Sequence, residues 1–502
     1  MFVLTMGFLF LSGLQRELRI VKLRRLNGAI EIPEIKKLNF KNYYNFSFQK
    51  SVEKNIEANF GFKEPLIRMY NQYVWDFYRK KHSRQVLVGK DNWLFPNWHK
   101  LAPKYSKELT DKFDQQAQYL FQLSNVLKEY NTQIIVCFIP SKLEIYKEYD
   151  TSDLKREDNF NPINYFCEKF ESSGVNYINL TQMMYDFKDT AVFMPFTPTG
   201  AHWSNIATVY AADSIFKRFE SLSGINMPKL KIGKPYIGKT REPDNDLEQM
   251  YNLCRPLHHQ TDYYVDIELL KDSTTVKPTM ITIADSHFWT FYYNLKMKEI
   301  FTRFPYWYYA NTIYFDKPNQ NVSQVDKMKE FVNADFILFL YSANQAYNID
   351  TDILIWPLIE LCINKEEVET KIAHIVETIN SDTEWKSKTE KKALEGNKTF
   401  EETAYSEARY VIRQNPYKFF PQLNATGVPY TRSRELELIL NPEIATTEER
   451  VLEILNSMRS SEEWMTALKE KAEIQGKTLD EVMHGDALWL IKKEDDNKKE
   501  NK

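Results

Sequence analysis

With 66 basic and 69 acidic side chains in 502 residues, the chain carries a formal charge of −3. No basic excess is available to neutralise a nucleic-acid backbone, so that class of partner is set aside. The length exceeds what one compact core takes up and predicts two or three folding units. Aromatic residues make up 14%, which predicts a large aromatic core, with stacking on sugars as the functional alternative.

Residues 1–14 are an apolar run, too short to span a bilayer, which takes about 20 such residues. They lack the basic lead of a signal peptide. Their basic residues (Arg16, Arg19, Lys22, Arg24, Arg25) all follow the run. Residues 1–25 are therefore read as a membrane anchor or a signal remnant, the tail of a longer segment. Helical spacing of apolar residues marks 26–85 as lead-in helices, interrupted at Gly61-Phe-Lys-Glu-Pro65.

From 86 to 362 strand-like runs alternate with helical ones. The strands are predicted at Gln85–Val88, Gln133–Ile139, Val175–Ile178, Met280–Ala284, Thr312–Phe315 and Asp335–Leu340. The helices are predicted at 105–130, 161–173, 204–222, 288–297 and 324–333. This alternation predicts an α/β domain with a mostly parallel sheet, in which ligands bind at the carboxyl ends of strands. The aromatic run Phe304–Tyr309 is read as core before sugar platform. Cys137, Cys167, Cys254 and Cys362 show no Cys-x-x-Cys pairing, and His258-His259 lack partners at ligand spacing, so no metal or other cofactor is expected.

Two segments carry the chemistry. Met280-Ile-Thr-Ile-Ala-Asp-Ser-His-Phe288 reads as a buried strand ending in a turn that opens a helix. Ser286 there would have N–H donors of a helix start around it, suited to an oxyanion; the plain alternative is an N-capping serine. Pro195-Phe-Thr-Pro-Thr-Gly-Ala-His-Trp-Ser204 places His202 in a loop before a helix, where a base for Ser286 could sit. The two are 84 positions apart, so only the fold can join them.

The orienting acid is open. Asp244 and Asp246, in the loop Arg241–Glu248, are candidates, and a backbone carbonyl leaving a Ser/His dyad is an equal alternative. Asp285 and His287 flank Ser286; Asp285 is read as pointing elsewhere or capping the helix, His287 as lining the pocket. Lys142, in Ile139-Pro-Ser-Lys-Leu-Glu-Ile-Tyr146, either meets an anionic sugar or is structural.

Taken together, these segments resemble the SGNH-hydrolase-like domain of the alginate O-acetyltransferase family (AlgJ/AlgX type). Ala284-Asp-Ser286 resembles its GDS-type serine motif and Gly200-Ala-His-Trp203 its Asp-x-His-Trp loop. Val88–Phe95 is similar to its Gly-x-(Asp/Glu)-Gly-Trp-Leu-Phe strand, and Ile139–Tyr146 to its Pro-x-Lys segment. Gly200 stands where the family has the triad aspartate. The resemblance covers 86–362 and implies a three-layer SGNH-hydrolase-like fold. It also implies a polysaccharide O-acetyltransferase of the periplasm or cell envelope, working through a serine acyl-enzyme. A membrane-bound acyl carrier protein of the O-acyltransferase type is the implied partner. A carbohydrate acetylesterase and an inactive polysaccharide-binding relative remain the alternatives.

The last 140 or so residues are rich in Lys and Glu and repeat with an offset of 79. Ile375–Trp385 matches Ile454–Trp464, Asn397–Glu402 matches Gly476–Glu481, and Ala408–Ile412 matches Ala487–Ile491. Two helical modules of three short helices each are predicted, at 366–414 and 441–493, with a Ser-x-x-Glu cap before each tryptophan. A linker at 415–440 joins them, and a disordered charged tail is expected over 494–502.

Overall fold

The computed structural model describes residues 2–28, 33–78, 86–98, 105–151, 160–257, 261–316 and 320–424. Beyond these it describes 450–451, 454–455, 458–459, 461–475 and 478–500. The chain forms two compact units, one of residues 1–325 with 334–351, the other of 326–333 with 352–502.

The first unit is built on a six-stranded sheet. Its strands are β3 (Gln133–Ile139), β4 (Tyr177–Asn179), β9 (Met280–Ala284), β10 (Tyr306–Tyr308), β11 (Thr312–Tyr314) and β12 (Phe336–Ser342). Their order is β11-β10-β9-β12-β3-β4, parallel throughout except for the antiparallel edge β11. The unbroken apolar runs of β3, β9 and β12 follow from burial on both faces. On one face Ile135, Cys137, Leu338 and Ala284 pack with Ile206, Ala211 and Ile215 of helix Asn205–Ser223. On the other, Phe138 lies 5.6 Å from Phe166 and 6.1 Å from Phe170 of helix Pro162–Ser173, and Phe113 of helix Lys107–Lys128 packs on Phe166. This is the three-layer α/β arrangement expected for an SGNH-hydrolase-like domain.

Several boundaries move. Gln85 lies outside the described residues. The segment expected as one strand, Val88–Phe95, is a hairpin: β1 (Val86–Val88) pairs antiparallel with β2 (Leu94–Pro96), turned by left-handed Asp91 and Asn92. Strand β10 was hidden inside the run Phe304–Tyr309, whose Phe304, Tyr306 and Trp307 are buried as core. Between the histidine helix and β9 the chain makes an unpredicted excursion. Here β5 (Lys229–Ile232) pairs with β8 (Ile267–Leu270), and β6 (Tyr236–Lys239) with β7 (Thr261–Tyr264), both antiparallel. The nested pairs hold out the loop that carries Asp244 and Asp246. His258 and His259 lie outside the described residues.

In the N-terminal segment, helix Phe2–Leu18 places Phe8 against Phe60 and Phe62 and buries Ser12 and Gln15, while Phe2, Val3 and Phe10 are exposed. Among the described residues no helix is long and apolar enough to cross a membrane. All four cysteines are free.

The second unit is helical, and its repeat is visible in three dimensions. The first copy comprises helices Lys365–Ser381, Thr383–Gly396 and Phe400–Gln414. In the second copy helices Glu462–Gln475 and Leu479–Glu500 stand at the corresponding places. The same offset of 79 carries the Thr399/Glu402 capping box onto Thr478/Glu481. It also carries the Lys392–Glu407 ion pair (2.6 Å) onto Lys471–Asp486 (2.5 Å). The caps before the tryptophans sit one residue later than expected, at Asp382 and Ser461, again in register. The charged run over 494–502, expected as a disordered tail, instead continues the last helix to Glu500.

Candidate active site

Ser286 follows β9 directly, at the point where neighbouring β10 and β12 also end. Its backbone is ordinary right-handed helical (φ −63°, ψ −14°), and its side chain makes no capping bond. Asp285 replaces it there, with Oδ1 accepting from His287 N–H (2.9 Å). Freed from capping, Ser286 Oγ donates to His202 Nε2 at 2.8 Å.

His202 is held on three sides. Its Nδ1–H donates to Asp246 Oδ2 at 2.5 Å, which fixes the tautomer that leaves Nε2 as an acceptor. Asp246 Oδ1 accepts from Ala201 N–H and Leu247 N–H, both at 2.7 Å, so one carboxylate orients the ring and pins the residue before it. Trp203, fully buried, donates from its indole to His287 O at 3.0 Å and ties the histidine loop to the serine turn. Burial alone would lower the His202 pKa. The Asp246 charge and hydrogen bond, with the more distant Asp285 and Glu242, outweigh it, and the net displacement is above 6.5.

The geometry at Gly200 explains why no aspartate stands there. A Cβ on Gly200 would lie 2.7 Å from Thr197 Oγ1 and 2.9 and 3.0 Å from the carbonyls of Pro243 and Asp244. The acid loop passes too close for any side chain, and that same approach delivers Asp246 to the histidine. The position of the family aspartate is closed, and its carboxylate comes from another loop.

Asp244, the alternative acid, does not touch His202. It is buried, accepts from Asn205 N–H and Nδ2, and burial pushes it up to about 7 against those bonds. Asp285 binds Ser342 N–H and Oγ through Oδ2 and His287 through Oδ1. Burial opposes its ionisation, but the His287 charge and these hydrogen bonds hold it down at about 2. His287 lies beside the histidine, ring centroids 4.7 Å apart.

Lys142 settles as structural. It is 1% exposed, and its ammonium donates to the carbonyls of Leu94 (2.7 Å), Pro198 (3.1 Å) and Gly200 (2.7 Å), beneath the histidine loop. Burial lowers its pKa well below 10.5, with the Asp246 charge opposing. So enclosed a cation has no access to a sugar, and that expectation is withdrawn.

One neighbour of the serine had no signal in the sequence. Tyr308 is in register with Ala284, and the next residue, Tyr309, binds Ala284 O through its N–H (2.9 Å) in a left-handed conformation (φ 47°). Its phenol reaches the Ser286 side chain and N–H. Burial and the Asp285 charge push it up to about 12 against those two hydrogen bonds. The N–H groups of His287, Phe288 and Trp289 are already engaged by Asp285 Oδ1, Asp285 O and Ser286 O. Of the donors expected at this helix start, the Ser286 N–H therefore remains for an oxyanion.

A parallel three-layer sheet with a serine at the carboxyl end of a strand, bonded to a loop histidine, defines an SGNH-hydrolase-like domain. Residues 86–278 match the family model described as SGNH hydrolase-like domain, acetyltransferase AlgX, so this part of the chain is AlgJ/AlgX-like. The match includes His202 and Asp246 and ends before Ser286. Among solved structures, the O-acetyltransferase domain of Pseudomonas putida AlgJ is 14% identical, covering 54% of this chain and 98% of that one, at a TM-score of 0.39. Pseudomonas aeruginosa AlgX is 13% identical (55% and 66% covered, TM-score 0.37). Bacillus cereus PatB1 is 16% identical (52% and 96% covered, TM-score 0.35). No curated protein matches.

Proposed function

We propose that the chain is an O-acetyltransferase that acetylates an exported or cell-surface polysaccharide through an acyl-enzyme on Ser286. The observation that carries this reading is the continuous relay Ser286 Oγ–His202 Nε2 (2.8 Å) and His202 Nδ1–Asp246 Oδ2 (2.5 Å), in a domain of an acetyltransferase family. In the first half-reaction Ser286 Oγ attacks the acetyl carbonyl while its proton passes to His202 Nε2. Asp246 stabilises the imidazolium, and the Ser286 N–H donates to the developing oxyanion. Cleavage of the donor C–O bond is completed by the His202 proton moving to the leaving oxygen. A sugar hydroxyl then gives its proton to His202, attacks acetyl-Ser286, and leaves as the O-acetyl ester with Ser286 reprotonated.

The same residues would serve water as acceptor, which is the acetylesterase alternative. The inactive alternative loses its motive, since the carboxylate absent at Gly200 is supplied at Asp246. In this reading the domain works in the periplasm or envelope, and a membrane-bound O-acyltransferase-type carrier supplies the acetyl group. The test incubates the full chain with an acetyl ester, with and without oligosaccharide acceptors, following free acetate and acetylated sugar. Transfer that grows with acceptor supports the proposal. Acetate release that no acceptor diverts makes it an esterase. No turnover and no acetyl-Ser286 by mass spectrometry refutes both.

A further inference from the structure

Behind the acid loop, on the side of helix Asp246–Tyr251 that carries Glu248 and Gln249, lies a cavity of about 290 Å³. Four cations line it (Arg24, Arg68, Lys239 and Arg255) against a single carboxylate, Glu248. The excess is not balanced locally. Arg255 is paired with Asp76 at 2.6 Å, but among the described residues Arg24, Arg68 and Lys239 have no carboxylate within 4 Å. Glu248 itself accepts from Leu257 N–H at 2.9 Å.

Arg68 is the telling member. It is only 7% exposed, and its guanidinium meets neutral carbonyls alone, Nη1 on Leu253 O (3.3 Å) and Nη2 on Arg25 O (2.7 Å). Its Nε is buried without a partner. A buried guanidinium with no counter-charge and an idle donor is costly, because desolvation is not returned by an ion pair. A second guanidinium, Arg24, adds repulsion; burial and that repulsion both draw the Arg68 pKa below 12.5. The fold nevertheless secures this arrangement. Asn27 exchanges hydrogen bonds with Asn252 and Gln249, strapping the segment that bears Arg24 over the cavity. Hydrogen-bonding side chains of Thr240, Asn245 and Gln249 complete the wall.

We propose that this cavity is a binding site for a phosphoryl group, as free phosphate or as the headgroup of an anionic lipid. Planar guanidinium forks match phosphate oxygens in pairs, and the volume admits a phosphoryl group with a small substituent but no long polymer. The site is separate from the Ser286 relay and does not depend on acetyl transfer.

Isothermal titration of the full chain with inorganic phosphate, against chloride at equal ionic strength, tests it. Saturable binding with a Kd of about 1 mM or tighter is expected. The exposed residues Arg24 and Lys239 can be changed without opening the core. Arg24→Gln and Lys239→Gln should each weaken binding about tenfold, the loss of one charge-assisted contact. Flotation with phosphatidylcholine vesicles containing phosphatidylglycerol separates the two sources. Vesicle capture that phosphate competes away and Arg24→Gln weakens marks a lipid headgroup, and phosphate binding without capture marks a soluble ligand. No saturable signal with either probe, or binding unchanged in both variants, overturns the proposal.

Discussion

Replacing Asp246 with asparagine removes one charge and almost no volume, and the structure says what remains. The introduced amide would keep its oxygen on the N–H groups of Ala201 and Leu247, the two 2.7 Å bonds that shape the histidine loop. Only the bond to His202 Nδ1 changes, because an amide N–H now faces that nitrogen. The imidazole is then driven to the tautomer with its proton on Nε2, which cannot accept from Ser286 Oγ. It also loses the charge that stabilises its protonated form. In a relay of this kind such a change costs about ten-thousandfold in kcat, or about 5.5 kcal/mol of transition-state stabilisation. The assay is steady-state hydrolysis of an acetyl ester by the full chain, with circular dichroism to verify the fold. Asp244→Asn serves as the comparison. Asp244 touches Asn205 and not His202, so it should leave the acid limb of the pH profile in place whatever it does to stability. Asp246→Asn turning over within tenfold of the wild type would refute the assignment of Asp246 as the orienting acid.

Other expectations follow from the same contacts. Ser286→Ala should abolish acetyl transfer and leave melting unchanged, since the hydroxyl caps nothing; activity retained in an acetyl-ester assay refutes its role. The base must be neutral to accept a proton and its pKa lies above 6.5, so kcat/KM should fall as pH drops through an inflection above that value. The sign for stability is opposite: the His202–Asp246 interaction contributes fully below pH 6.5 and is lost as pH rises through the raised pKa. NMR titration of His202 in Asp246→Asn should show a lower pKa, because burial then acts with less opposition. Gly200→Asp, which writes the family residue back, should destabilise by about 3 kcal/mol and gain no activity, the Cβ having nowhere to go; a melting temperature unchanged from wild type refutes this. Glu407→Ala strips the partners of Trp385, Thr389 and Lys392 and should lower the stability of the helical unit by about 2 kcal/mol in denaturant unfolding.

Strands β3, β9 and β12 were legible because a strand buried on both faces writes itself as an unbroken apolar run. Strand β10 was not, since an aromatic stretch serves core and ligand platform equally and only pairing with β9 decides between them. Ser286 and His202 could be picked out from their local settings, a strand end and a loop before a helix. Their acid could not, because its reach depends on the nested pairs β5–β8 and β6–β7, whose short, half-exposed strands carry little periodic signal. Gly200 misled for the same reason: an empty position in one loop looks like a loss until the neighbouring loop is seen pressed against it. Lys142 was undecided in sequence because a lysine can clamp carbonyls or greet an anion, and only burial separates the two.

The histidine and its acid ride on different loops, 44 positions apart in sequence, and this bears on how such a protein would fail. A short Asp-x-His motif travels as one piece, so its two members part company only when the whole loop unravels. Here the acid belongs to an excursion outside the central sheet, held by two short two-stranded ladders and a six-residue helix. Segments with few buried contacts open at lower free energy than the core that bears them. Heating should therefore uncouple Asp246 from His202 while the sheet is still intact. Activity would fade below the melting transition and return on cooling, and hydrogen exchange over 240–257 would accelerate at the same temperature. In this protein the threshold for catalysis would be set by the grip of a peripheral flap, and the sturdiness of the core would set only the threshold for collapse.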